Sequence, residues 1–335
     1  MRKVLTIALV ALMSASLFAG VKTSGYVQGA ATYVKNEKSN PILLGNDDDN
    51  KAQVVITDEN EVWGTTLYAQ KQLFKTNTWV DLMKLAKVDS DFKAKLSILT
   101  GDKLTTLSAY RNLADQDNYW RLRNEMADGT SFNTEIGYND LVKAQAGMQI
   151  WQGSVTRKNR EDKTSFFTSV LVTPVEGFKA SAGYGIYDLN TDKDAYVLAA
   201  DIDFAKIASL DFSFGFGLAY TNGSYYDKDS SSFKKYDDGI FTAQVFGDFG
   251  HLTAYCEISY FDFNEFKLGA TYRIDKNLVG GAYIYFNDYD NFDATENTKF
   301  GVDATYTVNK NIELYGIVEW EKRNLSAEGR CKVSF

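Results

Sequence analysis

The sequence predicts an all-β fold, a transmembrane antiparallel up-and-down β-barrel of roughly 16–18 strands, with 18 the better count. Three observations carry that prediction. A short apolar leader is followed by no further apolar helix, strand-length segments alternate strictly in character, and short and long connections take turns between them.

The chain opens MRKV, continues LTIALVALMSASLF and reaches small residues at Ala19 and Gly20. A basic start, an apolar stretch too short to span a bilayer and a small-residue cleavage site describe a secretory leader cut after Ala19. Residues 1–19 are therefore expected to be removed, leaving 20–335 as a single barrel domain. A helical membrane protein needs about 20 consecutive apolar residues per span, and no such run follows. The composition suits strands instead, with 22 Phe, 21 Tyr and 5 Trp, and only 2 Pro against 25 Gly. Each proline would remove a ladder donor, so few prolines permit long continuous strands.

Alternation is clearest toward the C-terminus. In 264–274, Phe266, Leu268, Ala270, Tyr272 and Ile274 share one face, and Glu265, Lys267, Gly269, Thr271 and Arg273 the other. In 297–308, Phe300, Val302, Ala304, Tyr306 and Val308 oppose Lys299, Asp303, Thr305 and Thr307. In 311–320, Ile312, Leu314, Gly316, Val318 and Trp320 oppose Glu313 and Glu319. A period of two marks strands lying between unlike environments. Runs such as 209–221 and 278–288 match the ~9–11 residues a tilted strand needs to cross hydrocarbon; strands of soluble domains average ~5–6.

Short connections are expected at Gly101-Asp102-Lys103, Asn139-Asp140, Asp275-Lys276-Asn277 and Asn309-Lys310-Asn311. They alternate with longer polar segments at 35–50, 71–90, 113–130, 152–163 and 222–238. Short periplasmic turns and long external loops are the outer-membrane pattern. The count falls to about 16 if 52–58 and 61–70 are not strands. An even count sets both chain ends at the periplasmic rim. Segment 77–88, with Trp79, Val80, Leu82, Met83, Leu85 and Ala86, has the spacing of a short amphipathic helix in the second loop.

The last segment, LSAEGRCKVSF, sets Leu325, Ala327, Cys331, Val333 and Phe335 on one face and Ser326, Glu328, Arg330, Lys332 and Ser334 on the other. An alternating final strand that closes on an aromatic residue, behind a secretory leader, resembles the assembly signal of bacterial outer-membrane, porin-like barrels. The resemblance is to that class and covers essentially the whole mature chain. It implies a bacterial outer-membrane location, contact with outer-membrane lipid and lipopolysaccharide, and recognition by the barrel-assembly machinery through the strand ending at Phe335. A homotrimer is among the assembly states it allows. A sheet in hydrocarbon must pair its first strand with its last. The first strand begins directly after the leader, so neither a plug nor a domain is expected ahead of it.

Charges gather opposite the apolar faces, with Asp201, Asp203, Asp211, Glu257, Glu265, Asp303, Glu313, Glu319 and Glu328 among Lys179, Lys267, Arg273, Lys299, Arg330 and Lys332. A Lys or Arg facing lipid near the midplane costs about 2–4 kcal/mol, so this face is wet. A barrel of this width is not filled by its own side chains. The expectation is a water-filled channel for passive diffusion of small hydrophilic solutes and ions, mildly cation-selective from its acidic excess.

In porins the third external loop folds inward and narrows the barrel. By that resemblance Asp115, Asp117, Arg121, Arg123, Glu125 and Asp128 of loop 113–130, with Arg111 just before it, are candidates for a constriction. A solvated loop of mixed charge is the plainer reading of the same residues. Asp201, Asp203, Glu257, Arg273, Asp303, Glu313 and Glu319 are the candidate wall residues.

Neither a cofactor nor a metal site is expected. Cys256 and Cys331 fall on apolar faces of strands counted five apart, beyond the ~4.4–6.8 Å between Cα atoms that a disulfide requires. Asp47, Asp48 and Asp49 read as a solvated loop tip, with a cation bridge to lipopolysaccharide as the alternative. Trp151, Phe204, Tyr220, Phe249, Tyr260, Trp320 and Phe335 sit at segment ends, where interfacial aromatic girdles lie. Only Tyr255 and Tyr315 are assigned to the polar face. A net charge of −8 argues against a nucleic-acid partner. An enzyme is not expected, since the single histidine, His251, falls in a DFGH turn at the periplasmic end. The alternative to a channel is a structural or adhesive barrel that anchors the envelope or presents surface loops.

Overall fold

The computed structural model describes residues 22–35, 42–43, 51–59, 62–70, 73–88, 90–100, 105–111, 113, 122, 129–151, 163–189, 193–227, 232–235, 239–260, 265–287, 298–321 and 324–335. The leader at 1–19 and the aspartates at 47–49 lie outside the described residues.

Eighteen strands close into one antiparallel barrel. They are β1 (Lys22–Lys35), β2 (Lys51–Glu59), β3 (Trp63–Gln70), β4 (Leu73–Asp81), β5 (Phe92–Thr100) and β6 (Gly129–Tyr138). There follow β7 (Val142–Trp151), β8 (Lys163–Val175), β9 (Phe178–Asp188), β10 (Lys193–Asp203), β11 (Ser213–Asp227) and β12 (Ile240–Asp248). The circuit ends with β13 (Leu252–Tyr260), β14 (Glu265–Arg273), β15 (Leu278–Asn287), β16 (Thr298–Asn309), β17 (Ile312–Glu321) and β18 (Asn324–Ser334). Each strand pairs with its sequence neighbour, and β18 returns to β1 in a register running from Tyr26 opposite Ser334 to Lys35 opposite Leu325. The seam finishes with Gly25 and Phe335 exchanging backbone hydrogen bonds of 3.1 and 3.0 Å. Segments 52–58 and 61–70 thus belong to two full strands.

Alternation decides which side chains face out. In β10 Tyr196 and Leu198 are 42% and 52% exposed on the outer face, while Ala195 and Val197 are buried on the inner one. Leu96, Ile98, Phe132, Ile136, Val245, Leu268, Phe300, Val302 and Val318 continue that exposed apolar belt around the barrel. An uninterrupted apolar belt is satisfied by hydrocarbon. Cys256 and Cys331 lie on it as free thiols. Phe204, Phe249 and Tyr260 are exposed at strand ends, and Tyr220 packs beside Tyr196 with ring centroids 6.0 Å apart; the side chain of Trp151 lies outside those described.

Antiparallel pairing sends alternate connections to opposite rims. One rim holds Val62, 82–88, 90–91, 139–141, 176–177, 204–212, 249–251, 274–277 and 310–311, together with Lys22 and Phe335. The other is marked by the opposite strand ends, among them Lys35, Gln70, Leu73, Thr100, Gly129, Trp151, Lys163, Asp188, Tyr260 and Asn287. Three expected boundaries move. The turn expected at Gly101-Asp102-Lys103 lies outside the described residues, and no wall strand follows it directly, since β5 stops at Thr100 and the next wall strand, β6, starts at Gly129. The long segment expected at 71–90 contains a whole strand, β4, which starts at Leu73 close behind the end of β3 at Gln70. The segment expected at 222–238 is shortened by β11, which runs to Asp227 and pairs with a small strand at Ser232–Lys235.

The helix expected over 77–88 also shrinks. Residues 77–81 belong to β4, and the helical turn α1 is only Leu82–Leu85 at the short-turn rim. Trp79 and Val80 sit on opposite faces of a strand rather than along one helical stripe. Asp81 marks the boundary, its carboxylate accepting from the Met83 and Lys84 N–H groups at 3.0 and 3.1 Å, a helix N-cap. A second turn, α2 (Phe204–Ile207), caps the same rim.

Candidate functional site

Residues 105–111, between β5 and β6 in the chain, lie inside the tube and run along the inner wall, roughly across β7 to β13. Gln145 Nε2 donates to the Thr105 carbonyl at 3.0 Å, the Leu107 N–H donates to Ser169 Oγ at 2.9 Å, and the Ala109 N–H donates to Ser181 Oγ at 2.8 Å. Serines at these inward positions supply the acceptors that an irregular buried backbone needs. Leu122 comes back alongside: its N–H donates to Thr106 Oγ1 at 2.9 Å, and the Thr106 N–H donates to its carbonyl at 3.0 Å.

The wall is shaped to receive this strap. Small residues face inward where it passes. A Cβ at Gly183 would stand 3.0 Å from Thr106 Cβ, and one at Gly217 would stand 3.1 Å from the Tyr110 ring. Leu122 packs with Phe167, Tyr187, Ala195 and Val197, while Ala109 and Tyr110 pack with Ala199 and Ala219. Apolar burial holds the middle of the strap, and charge holds its far end.

Two anchors make that end. The Tyr110 hydroxyl donates to Glu257 Oε2 at 2.7 Å. Burial, and then the Glu257 charge, push the tyrosine's pKa up, so it stays a donor. Glu257 also accepts from Gln244 Nε2 at 3.3 Å and pairs with Lys267 at 3.4 Å. Lys267 reaches Glu265 at 3.4 Å, and Glu265 accepts from the Tyr285 hydroxyl at 2.6 Å. At the second anchor Arg111 Nη2 meets Asp201 Oδ1 at 3.0 Å and Asp203 Oδ2 at 3.4 Å. Its guanidinium lies 3.8 Å above the Phe246 ring, a stacked geometry that Arg favours.

Of the predicted residues, the fold therefore gathers Arg111, Asp201 and Asp203, with Glu257 joined to them through Tyr110. Asp203 is shared with α2, where its Oδ1 accepts from the Lys206 N–H at 3.1 Å and the Phe214 N–H at 3.3 Å. Asp303 and Glu319 lie on a different inward sector, β16–β17, where Lys299 meets Glu319 at 2.9 Å. Arg273 and Glu313 are inward by register near the short-turn rim, in exposed positions apart from the other two groups. Asp115, Asp117, Arg121, Arg123, Glu125 and Asp128 lie outside the described residues.

Register carries the inward assignment around the barrel and adds residues that the sequence reading missed. Lys75, Lys93, Lys95 and Lys143 face in from β4–β7, so bases occupy a wall sector where no charge was assigned. Aromatic residues face in as well: Tyr26, Trp79, Phe167, Phe246, Tyr283 and Tyr285 join Tyr255 and Tyr315. Several carry a base on the ring, with Lys95 4.7 Å from Trp79, Lys332 4.9 Å from Tyr26 and Arg330 5.2 Å from Tyr315. The available signal was glycine spacing, since inward rings such as Tyr283 lie against a glycine of the next strand.

No protein-family model and no curated protein matches the sequence. Solved structures do. A five-substitution variant of the porin of Rhodopseudomonas blastica superposes with a TM-score of 0.53 at 14% identity, over 94% of this chain and 100% of that one. A three-substitution variant of the same porin gives 0.51 at 15% identity over the same shares. What the chain shares with these porins is the fold, a closed antiparallel β-barrel.

Proposed function

We propose that the protein is an outer-membrane channel through which small hydrophilic solutes and ions diffuse passively, with a mild preference for cations. The observation that carries this reading is the inner wall. A closed eighteen-stranded barrel presents charged side chains inward along its strands, and a barrel of this width holds water. Segment 101–128 is the constriction in this reading: Arg111 fixes it to Asp201 and Asp203, and Asp115, Asp117, Arg121, Arg123, Glu125 and Asp128 set the field a solute crosses. Glu257, Arg273, Asp303, Glu313 and Glu319 line the path on the wall. The leader at 1–19 directs export, β18 with Phe335 is read by the assembly machinery, and the long-loop rim meets lipopolysaccharide. An enzymatic reading that relies on a histidine base finds none at that rim, because His251, the chain's one histidine, sits in the 249–251 turn of the opposite rim.

Single-channel recording of the purified protein in a planar bilayer, under a salt gradient, tests this. Large ohmic steps with a cation-biased reversal potential are expected, and deletion of 115–128 should raise the conductance. Folded protein that passes no current would overturn the channel and leave the structural or adhesive role. Unchanged conductance after the deletion would remove the constriction.

A further inference from the structure

We infer that the inner wall at β15–β16 holds a binding site for organic cations carrying an ammonium or guanidinium group, built from the ring of Tyr283 and the carboxylate of Asp303. The inference rests on the channel reading and names the class of solute that the lumen would retain.

Two side chains cross between the strands. Tyr283 of β15 is opposite Gly301 of β16, and Gly281 of β15 is opposite Asp303 of β16. The Tyr283 ring lies across Gly301, where a Cβ would stand 2.3 Å from its Cε1. Asp303 lies back across Gly281, where a Cβ would stand 2.7 Å from its Oδ2. Each glycine is overlain by the neighbouring strand's side chain, so ring and carboxylate both lean across the β15–β16 pair, two residues apart along the inner wall.

The charges around them leave Asp303 over. Lys299 is engaged with Glu319 at 2.9 Å and Glu321 at 4.0 Å, and Arg330 with Glu328. The Tyr283 hydroxyl donates to Glu319, which fixes the ring. Among the described residues no base and no hydrogen-bond donor pairs with Asp303, whose cross-strand neighbours are Gly281 and Ile317. The same wall already shows what suits a ring beside a carboxylate: Lys267 lies over Tyr285 next to Glu265, and Arg330 over Tyr315 next to Glu328. Tyr283 and Asp303 set a ring and a carboxylate on neighbouring strands of the same wall, with no base among the described residues paired to that carboxylate. A metal ion fits less well, since no group of three or more His, Cys, Asp or Glu among the described residues is placed to hold one, and a ring face favours a weakly hydrated organic cation.

Methylguanidinium titrated into the folded, detergent-solubilised protein tests the site by calorimetry, with block of the sodium current in a bilayer as the second readout. Saturable binding and saturable block are expected. Asp303→Asn should weaken both about tenfold, and Tyr283→Leu severalfold, while Tyr283→Phe, which keeps the ring, should retain most of the affinity. Binding that does not saturate in the unsubstituted protein, or that Asp303→Asn leaves unchanged, would overturn the site. The calorimetric arm needs no open pore: binding without current would remove the channel reading, and current without binding would remove this inference.

Discussion

Lys267 shows how much one side chain carries in this wall. It is 5% exposed and stands between Glu257 and Glu265, each 6% exposed. Two carboxylates so placed tolerate burial only with the cation between them and with Tyr110, Gln244 and Tyr285 donating to them. Removing one partner of a buried ionic group costs about 3–5 kcal/mol, mainly through the charge left unpaired. Lys267→Met is therefore expected to lower the temperature at which the folded band converts on a denaturing gel, and an unchanged midpoint would show that water reaches the pair. Tyr110→Phe is the milder change. It takes one donor from Glu257 and leaves Gln244 and Lys267 in place, at a cost of about 1.5–3 kcal/mol felt at the strap. The barrel should fold normally and its open-channel current should become noisier. A quiet trace would mean that packing against Ala199 and Ala219 suffices to hold the strap.

At the scale of the element, closure is the exposed point. Phe335 lays its ring on Gly25, where a Cβ would stand 2.7 Å from the ring and 2.3 Å from the Gln53 carbonyl. Gly25→Val must push β1 from both neighbours, so the yield of heat-modifiable folded barrel should fall severalfold, while the same change at Gly329, which has open space around it, should be tolerated. Strands of this kind were legible where the two faces differ most, as in β14, β16 and β17, because a charged row against an apolar row leaves one solution. Legibility failed at β4 and at the strap for a shared reason. Residues 105–111 alternate as a strand would, and nothing local says whether such a run stands in the wall or lies against its inside. That is settled by Ser169, Ser181, Gly183 and Gly217 on other strands. Residues 73–81 mix Trp79 and Val80 with polar neighbours, so their alternation is weak until Gly64 is seen beneath the tryptophan. Arg111, Asp201 and Asp203 were each readable as inward charges, but their meeting depends on the strap's path.

Across the whole molecule the inward charge is unevenly spread. Lys75, Lys93, Lys95 and Lys143 stand on β4–β7 with Glu135 opposite Lys95, whereas on β10–β18 acids such as Asp201, Asp203, Glu257, Glu265, Asp303, Glu319 and Glu328 outnumber the bases beside them. Opposed sectors of this kind keep selectivity mild, because each lowers the potential the other sets. Replacing Lys75, Lys95 and Lys143 together by Gln should raise the cation-to-anion permeability ratio on the order of twofold, read from the reversal potential in a salt gradient. An unmoved reversal potential would place those lysines off the current path. The seam between β1 and β18 has a kinetic meaning too. Every other pair in the wall is made by sequence neighbours, whereas Tyr26 and Ser334 meet across about 300 residues. At about 0.6 kcal/mol for each doubling of loop length, that closure costs about 4 kcal/mol more in chain entropy than a tight hairpin. Until it is made, two strand edges stand bare in a medium that offers their backbones no partner. The last pairing is thus the step for which assembly waits, and the one at which an unfinished barrel is most exposed to joining with another.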